Sequence, residues 1–392
     1  MPMSYVLRHV KIVTPLHIVD DGYIVIENGF IKEIGKEPIS LSKLVDSIDT
    51  RGLIAVPGFI DTHIHGYGGI DIMWADAHSI LDMGKKLVKH GVTAFLPSTV
   101  TASHEGLVDV CRKIRDAYRE WNPDYGARIL GIHLEGPYIS PIKRGAQNPK
   151  FIRRPSASEL NEYIEVSEGL VRQITIAPEV ENGIEFISYA YSRGIVVSIG
   201  HTVASYEEGL RAIEAGARKA THIFNAMTEF HHRKPGVAIA LLQNPKVFIE
   251  VIADFIHLHP AVVKMVIDIA KPERVALITD AISATALPDG EYELGGLRVV
   301  VKNGIPRLAD SGALAGSTLT MDRAFKNVLS LGYTLQEVSM MTSYTPAKSI
   351  KALEKEKIGM IEQCYRADIV LLDSNLDIVK TIVNGEIAYE KK

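Results

Sequence analysis

Pro57-Gly58-Phe59-Ile60-Asp61-Thr62-His63-Ile64-His65-Gly66 marks a change of grammar in the chain. Before it, short apolar runs flank Asn28-Gly29: Tyr23 to Glu27 on one side, Phe30 to Ile34 on the other. Such runs around Asn-Gly read as a β-hairpin. After it, apolar β-rich runs alternate with longer helical patterns. Phe59 to His63, Thr93 to Pro97, Arg128 to Leu134, Gln173 to Ala177, Val196 to Gly200, Ala220 to Phe224, Phe248 to Ala253 and Val275 to Thr279 read as strands. Ser79 to His90 and His104 to Trp121 read as helices. Continuous apolar strands are those of a parallel sheet buried on both faces, and strand–helix alternation implies βαβ units. About eight such units suit a closed barrel better than an open sheet.

Working outward, the alternation breaks between Glu291 and Leu308, where Leu297 to Val301, Asn303-Gly304 and Ile305 to Leu308 read as an inserted hairpin. Helices are expected at Leu319 to Ser330 and Leu335 to Met341, then strands at Asp368 to Leu372, Ile378 to Val383 and Ile387 to Tyr389. The two chain ends share one β style. The expected fold class is therefore α/β: a (β/α)8 TIM-like barrel over residues 57–355, with a small β-sandwich domain built from both chain ends, residues 1–56 and 356–392.

Composition is that of a globular protein, with 46% hydrophobic and 23% charged residues. A net charge of −4, from 43 basic and 47 acidic residues, advertises neither a nucleic-acid nor a membrane surface. No run approaches the roughly 18 apolar residues of a spanning helix, and the first ten residues lack a signal-peptide core. A cytoplasmic protein without nucleic-acid or membrane partners is expected. Cys111 and Cys364 lie far apart and read as reduced.

Ionisable side chains cluster where barrel strands end, on the face that carries catalysis in barrel enzymes. His63 and His65 lie two apart on a strand and share a face. A bare His-x-His is weak evidence. Glu135, in Leu134-Glu135-Gly136-Pro137, ends an apolar strand, where an unpaired carboxylate would cost several kcal/mol. His201, His222 and Asp280 each fall at or near the end of a later strand. One histidine in an apolar strand is ordinarily a satisfied core group; a series of them at one end of successive strands is not. Imidazole and carboxylate without thiolate suit zinc or iron-type divalent ions. His63, His65, Glu135, His201, His222 and Asp280 together exceed one open site, so one or two ions per subunit are expected. His133 shares a face with Glu135 and reads as a supporting or substrate residue.

These residues resemble the amidohydrolase superfamily. Leu134-Glu135-Gly136-Pro137, Gly200-His201-Thr202, Thr221 to Met227, Thr279-Asp280-Ala281 and Leu314-Ala315-Gly316-Ser317, taken in order, look like those of the N-acetylglucosamine-6-phosphate deacetylases. The resemblance runs from about Pro57 to Pro346. It implies that Glu135, His201 and His222 hold a main ion, and that His63, His65, Glu135 and Asp280 hold a second. Members that lack the strand-one pair hold one metal; this chain keeps it. The implied reaction hydrolyses an acetamide, with Asp280 as general base and then acid. The implied substrate is a sugar phosphate, gripped by His257 and by Arg233 donated from the other subunit of a homodimer; Asn225-Ala226, just after the sixth strand, is expected to face the anion with its backbone N–H groups. Two positions depart from the family. Gln147 stands where several members carry His, and is expected to give one hydrogen bond to the reacting carbonyl oxygen. Phe255 stands where Gly is usual, and is expected to reshape the pocket wall.

Rival readings are a deacetylase of N-acetylgalactosamine 6-phosphate, an amidohydrolase for a different amide, and a metal-free assembly protein on the same barrel. An open-sheet phosphate-binding protein would want a Gly-rich loop after the first strand. Gly66-Tyr67-Gly68-Gly69 matches that only faintly.

Overall fold

The computed structural model describes residues 4–38 and 46–391. Residues 1–3, 39–45 and 392, which belong to the expected end segments, lie outside the described residues.

Eight parallel strands form the barrel: β1 (Phe59–Ile64), β2 (Val92–Thr99), β3 (Ile132–Glu135), β4 (Val171–Ile176), β5 (Val196–Ile199), β6 (Ala217–Ala220), β7 (Phe248–Ile252) and β8 (Val275–Ile278). They pair in chain order. Every residue of β1, β2, β3, β5 and β8 is buried, because helices cover the outside and side chains fill the bore. Closure falls on the carboxyl ends. The Asp280 N–H donates to the His63 carbonyl at 2.9 Å, and the His65 N–H donates to the Ala281 carbonyl at 2.9 Å. Asp61 reinforces the seam: its carboxylate accepts from Thr279 Oγ1 at 2.5 Å and from the Thr279 N–H at 3.2 Å.

The helices between strands obey local rules. His104–Glu120 starts where Ser103 Oγ accepts from the Gly106 N–H, and Tyr206–Ala215 carries a capping box between Ser205 and Glu208. Each buries one apolar stripe against the strands.

Both chain ends build a second sheet of eight strands. Its centre is Ile54–Pro57, which runs parallel to Ser4–Val13 and antiparallel to Ile369–Leu372. Bonds between Gly29 or Ile31 and the 364–367 segment bring its far edge round to the start of that last strand. Tyr5, Leu7, Ile24, Ile26, Ile369 and Ile382 fill the core that results. The sandwich expected from the ends is thus one continuous sheet bent around its own core.

The late insertion is a three-stranded sheet, Gly290–Leu294, Leu297–Lys302 and Ile305–Leu308, one strand more than the expected hairpin. Two boundaries also differ. The run 128–134 is broken into Arg128–Ile129 and Ile132–Glu135 at Gly131, whose φ is 135°. The sixth strand ends at Ala220, earlier than Ala220 to Phe224 implied, because the chain turns there to present His222. No helix among the described residues is long and apolar enough to cross a membrane.

Candidate active site

The site is built by strand ends and the turns after them. His63 lies within β1 and His65 follows it; Glu135 is the last residue of β3. His201, His222 and Asp280 each stand two residues beyond β5, β6 and β8, and all three have left-handed backbone, with φ of 49°, 27° and 53°. Non-glycine residues take that conformation at a cost, and such strain gathers at functional sites. A chain that turns sharply at the strand end aims the side chain inward over the bore.

The six side chains converge. Glu135 Oε1 lies 3.1 Å from His222 Nε2, 3.2 Å from His201 Nε2 and 3.3 Å from His63 Nε2. Asp280 Oδ1 lies 3.1 Å from His65 Nε2 and 3.5 Å from His63 Nε2. Two groups of three, each with donor atoms within 4.8 Å of one another, could each hold an ion: His63, His65 and Asp280, and Glu135, His201 and His222. All six residues are buried.

Such packing of carboxylates on imidazole nitrogens needs positive charge between them. Burial would lower the His65 imidazole, yet its hydrogen bonds to the Asp280 and Glu135 carboxylates push it up to about 9. Burial opposes ionisation of Glu135 and Asp280 as well, but His63 leads the neighbouring imidazoles that hold both carboxyls below their ordinary range. A divalent cation would supply that charge with neutral imidazole ligands. The donor set, all nitrogen and carboxylate oxygen, fits such an ion.

A cavity of about 310 Å³ opens above the cluster, lined by His65, Glu135, His201, His222 and Asp280 among others. Gln147, Asn225, Ala226 and His257 also line it. Gln147 is committed at both ends: its Nε2 donates to Glu135 Oε2 at 2.5 Å, and its Oε1 accepts from the Thr101 N–H at 2.6 Å. The donor expected for a reacting oxygen is therefore used on Glu135, which leaves the second amide hydrogen. The Asn225 N–H is spent in the turn on the His222 carbonyl at 3.0 Å, so it does not stand free for an anion as expected. His257 Nδ1 bonds Asp254 Oδ2 at 2.7 Å, which fixes the ring on the cavity wall.

Arg233 does not line this cavity. It is exposed, and its Nη1 donates to His232 Nε2 at 2.6 Å. Phe255 does not line it either: its backbone is left-handed, at φ 65°, and its ring packs against the core. The expected reshaping of the pocket wall by this ring is not seen, because the ring lies outside the lining. His133 lies beneath the cluster, between Ser98 Oγ at 3.0 Å and Thr175 Oγ1 at 2.8 Å, and burial holds it neutral. It supports the floor.

Two charged residues escaped the sequence reading. Lys219, in β6, and Glu250, in β7, are fully buried and paired at 2.8 Å, below His63. The signal was available: a charge inside a strand that is apolar on both faces needs a partner. Reading only strand ends passed over it.

Comparisons with known proteins agree with this geometry. N-acetylgalactosamine-6-phosphate deacetylase of Escherichia coli O157:H7 is 36% identical over 388 residues, which cover 98% of this chain and 100% of that protein. N-acetylglucosamine-6-phosphate deacetylase of Lysinibacillus sphaericus is 34% identical over 389 residues, 99% of this chain and 98% of that protein. Among solved structures, a variant of N-acetyl-D-glucosamine-6-phosphate deacetylase from Mycobacterium smegmatis, in complex with N-acetyl-D-glucosamine-6-phosphate, superposes with a TM-score of 0.92. It is 32% identical, with 98% of this chain and 99% of that one covered. The model of the amidohydrolase family matches residues 54–388, from the central strand of the end-built sheet through the barrel to its last strand. With its ligand-bearing strand ends and its split sheet inside that match, the chain belongs to the amidohydrolase family.

Proposed function

We propose that this protein hydrolyses the acetamide of N-acetyl-D-glucosamine 6-phosphate to D-glucosamine 6-phosphate and acetate. The observation that carries the reading is the convergence of Glu135, His201, His222, His63, His65 and Asp280 beneath a single cavity, in a chain that shares its whole length with sugar-phosphate deacetylases. In this reading Glu135, His201 and His222 would hold one divalent ion, and His63, His65 and Asp280 would hold a second beside Glu135; zinc or iron suits these donors. What a bound ion supplies is Lewis acidity, in the form of a lower pKa for water and a polarised amide carbonyl.

The protein residues do the rest. Asp280, ionised and on the cavity wall, takes a proton from the attacking water and returns it to the departing amine. Gln147 holds the Glu135 carboxylate in place, and its second amide hydrogen is left to serve the reacting oxygen. Asn225 holds the turn through bonds to the His222 and Ile223 carbonyls, and Ala226 and His257, on the cavity wall, bind the sugar phosphate. Arg233, exposed and away from its own cavity, reaches the phosphate of the partner's substrate in a homodimer, where its planar fork suits the anion. A phosphorylated sugar does not cross a bilayer unaided, which puts the reaction in the cytoplasm.

A second reading has its own support: the Escherichia coli relative is an N-acetylgalactosamine-6-phosphate deacetylase at 36% identity. The test is acetate release from both phosphorylated epimers and from unphosphorylated N-acetylglucosamine, with metal counted on the same sample. Faster release from the glucosamine epimer supports the proposal. Faster release from the galactosamine epimer replaces it with the second reading. Release from neither, on metal-loaded protein, removes both.

A further inference from the structure

The imidazoles of the two ligand groups are backed unequally. His65 Nδ1 faces the Ser98 carbonyl at 3.1 Å, and His201 Nδ1 faces the Lys143 carbonyl at 3.0 Å. His222 Nδ1 is buried with no hydrogen-bond partner. His63 alone of these four has a carboxylate behind it: Nδ1 lies 3.0 Å from Glu250 Oε2, with both side chains fully buried. That carboxylate is itself held on every side. Oε2 also accepts from the His222 N–H at 3.3 Å. Oε1 is 2.8 Å from Lys219 Nζ and accepts from Gln173 Nε2 at 3.1 Å. Lys219 spends its other two donors on Thr62 Oγ1 at 3.0 Å and Gln173 Oε1 at 2.9 Å.

A buried ion pair adds little to stability that apolar residues of the same size would not give. What this one supplies is a fixed acceptor under one ring. An acceptor at Nδ1 keeps the proton there, turns the Nε2 lone pair toward Asp280 and Glu135, and makes the ligand more basic. We infer that Glu250, locked by Lys219 and Gln173, is the positioning residue that sets how tightly the His63–His65–Asp280 group holds its cation, while the Glu135–His201–His222 group meets it only through the His222 backbone N–H and no ligand ring. The inference rests on the two-ion part of the reading above. It concerns binding, so it can fail or stand apart from the deacetylase activity.

The test starts from Zn²⁺-loaded protein dialysed against chelator-buffered Zn²⁺ of decreasing free concentration, with bound zinc counted at each step. Wild-type protein is expected to release two ions in two steps, and His65→Asn to abolish the step that belongs to the His63 group. In Glu250→Gln that same step moves to roughly 10–100-fold higher free Zn²⁺, the usual effect of losing such a partner, while the other stays in place. Because Glu250→Gln leaves Lys219 buried without its counter-ion, the double variant Lys219→Met/Glu250→Met is measured beside it. That variant is expected to recover the wild-type thermal midpoint and to keep the shifted release. Recovery of wild-type zinc binding in the double variant would overturn the inference, since the pair would then only brace the barrel. So would an unshifted step in Glu250→Gln, an equal shift of both steps, or a wild-type protein that takes up one ion. A wild-type protein that holds two ions but releases no acetate would overturn the proposed reaction and leave this assignment intact.

Discussion

Asp280 occupies a backbone conformation that few aspartates adopt, and its surroundings say why the cost is met. Its N–H and carbonyl are both tied down, to the His63 carbonyl at 2.9 Å and the Ser317 N–H at 2.7 Å. Gly316 lies so close that a Cβ there would stand 2.8 Å from the Asp280 carbonyl. The carboxylate is thus held over the cluster by its backbone before any ligand arrives. Asp280→Asn keeps the shape and an oxygen donor but cannot take a proton. Its expected outcome is near-normal metal content with turnover reduced about 10²–10⁴-fold, the range general acid–base catalysis contributes; acetate release above a tenth of wild type would remove the proton role. Arg233→Ala tests the phosphate grip. A charge-assisted hydrogen bond is worth about 1.5–3 kcal/mol, so KM for the phosphorylated sugar should rise roughly 10–100-fold. KM for the unphosphorylated sugar should hold steady, and equal effects on both would take Arg233 out of the phosphate site.

Among the elements, the third strand shows how local geometry delivers a ligand. Gly131 breaks the run at φ 135°, and a Cβ there would lie 2.6 Å from the Leu170 carbonyl. That break offsets Arg128–Ile129, which pairs with β2, from Ile132–Glu135, which pairs with β4 as well as β2. Glu135 reaches the cluster on the second piece. Gly131→Ala should therefore cost on the order of 1–3 kcal/mol, read as a lowered thermal midpoint with retained secondary structure. An unchanged midpoint would mean that Leu170 yields easily and that the break is not a strict requirement. The apolar run was legible from residues 128 to 134; its interruption was not, because a glycine in a strand also marks mere close approach.

For the whole molecule, the informative contrast is between Asp280, on the cavity wall, and Arg233, exposed and outside it. If Arg233 serves the partner's site, the Asp280 variant, impaired in turnover, and the Arg233 variant, impaired in KM, can complement each other at substrate well below the raised KM. Mixed dimers of Asp280→Asn and Arg233→Ala subunits would hold one complete site each, on the subunit that keeps Asp280. Subunits exchanged at equal ratio should regain about a quarter of wild-type activity, since half the dimers are mixed and half their sites are whole. No recovery after verified exchange would place Arg233 in its own subunit's site or in none.

The barrel and its end-built sheet were legible because both rest on short-range pattern. Buried parallel strands must be apolar along their length, and hairpin turns must carry residues such as Asn28-Gly29. The six converging residues were legible for a related reason: a histidine or carboxylate at the end of an apolar strand needs a partner that the local sequence does not provide. What the chain could not state in one dimension was which partner. Only the closed barrel brings Lys219 of β6 and Glu250 of β7 under His63 of β1, 187 residues from Glu250 in sequence. Only it packs Phe255 against the core and spends Gln147 on Glu135. Propensity and periodicity act over a few residues, whereas the pairing of buried charges depends on which strands become neighbours when the sheet closes.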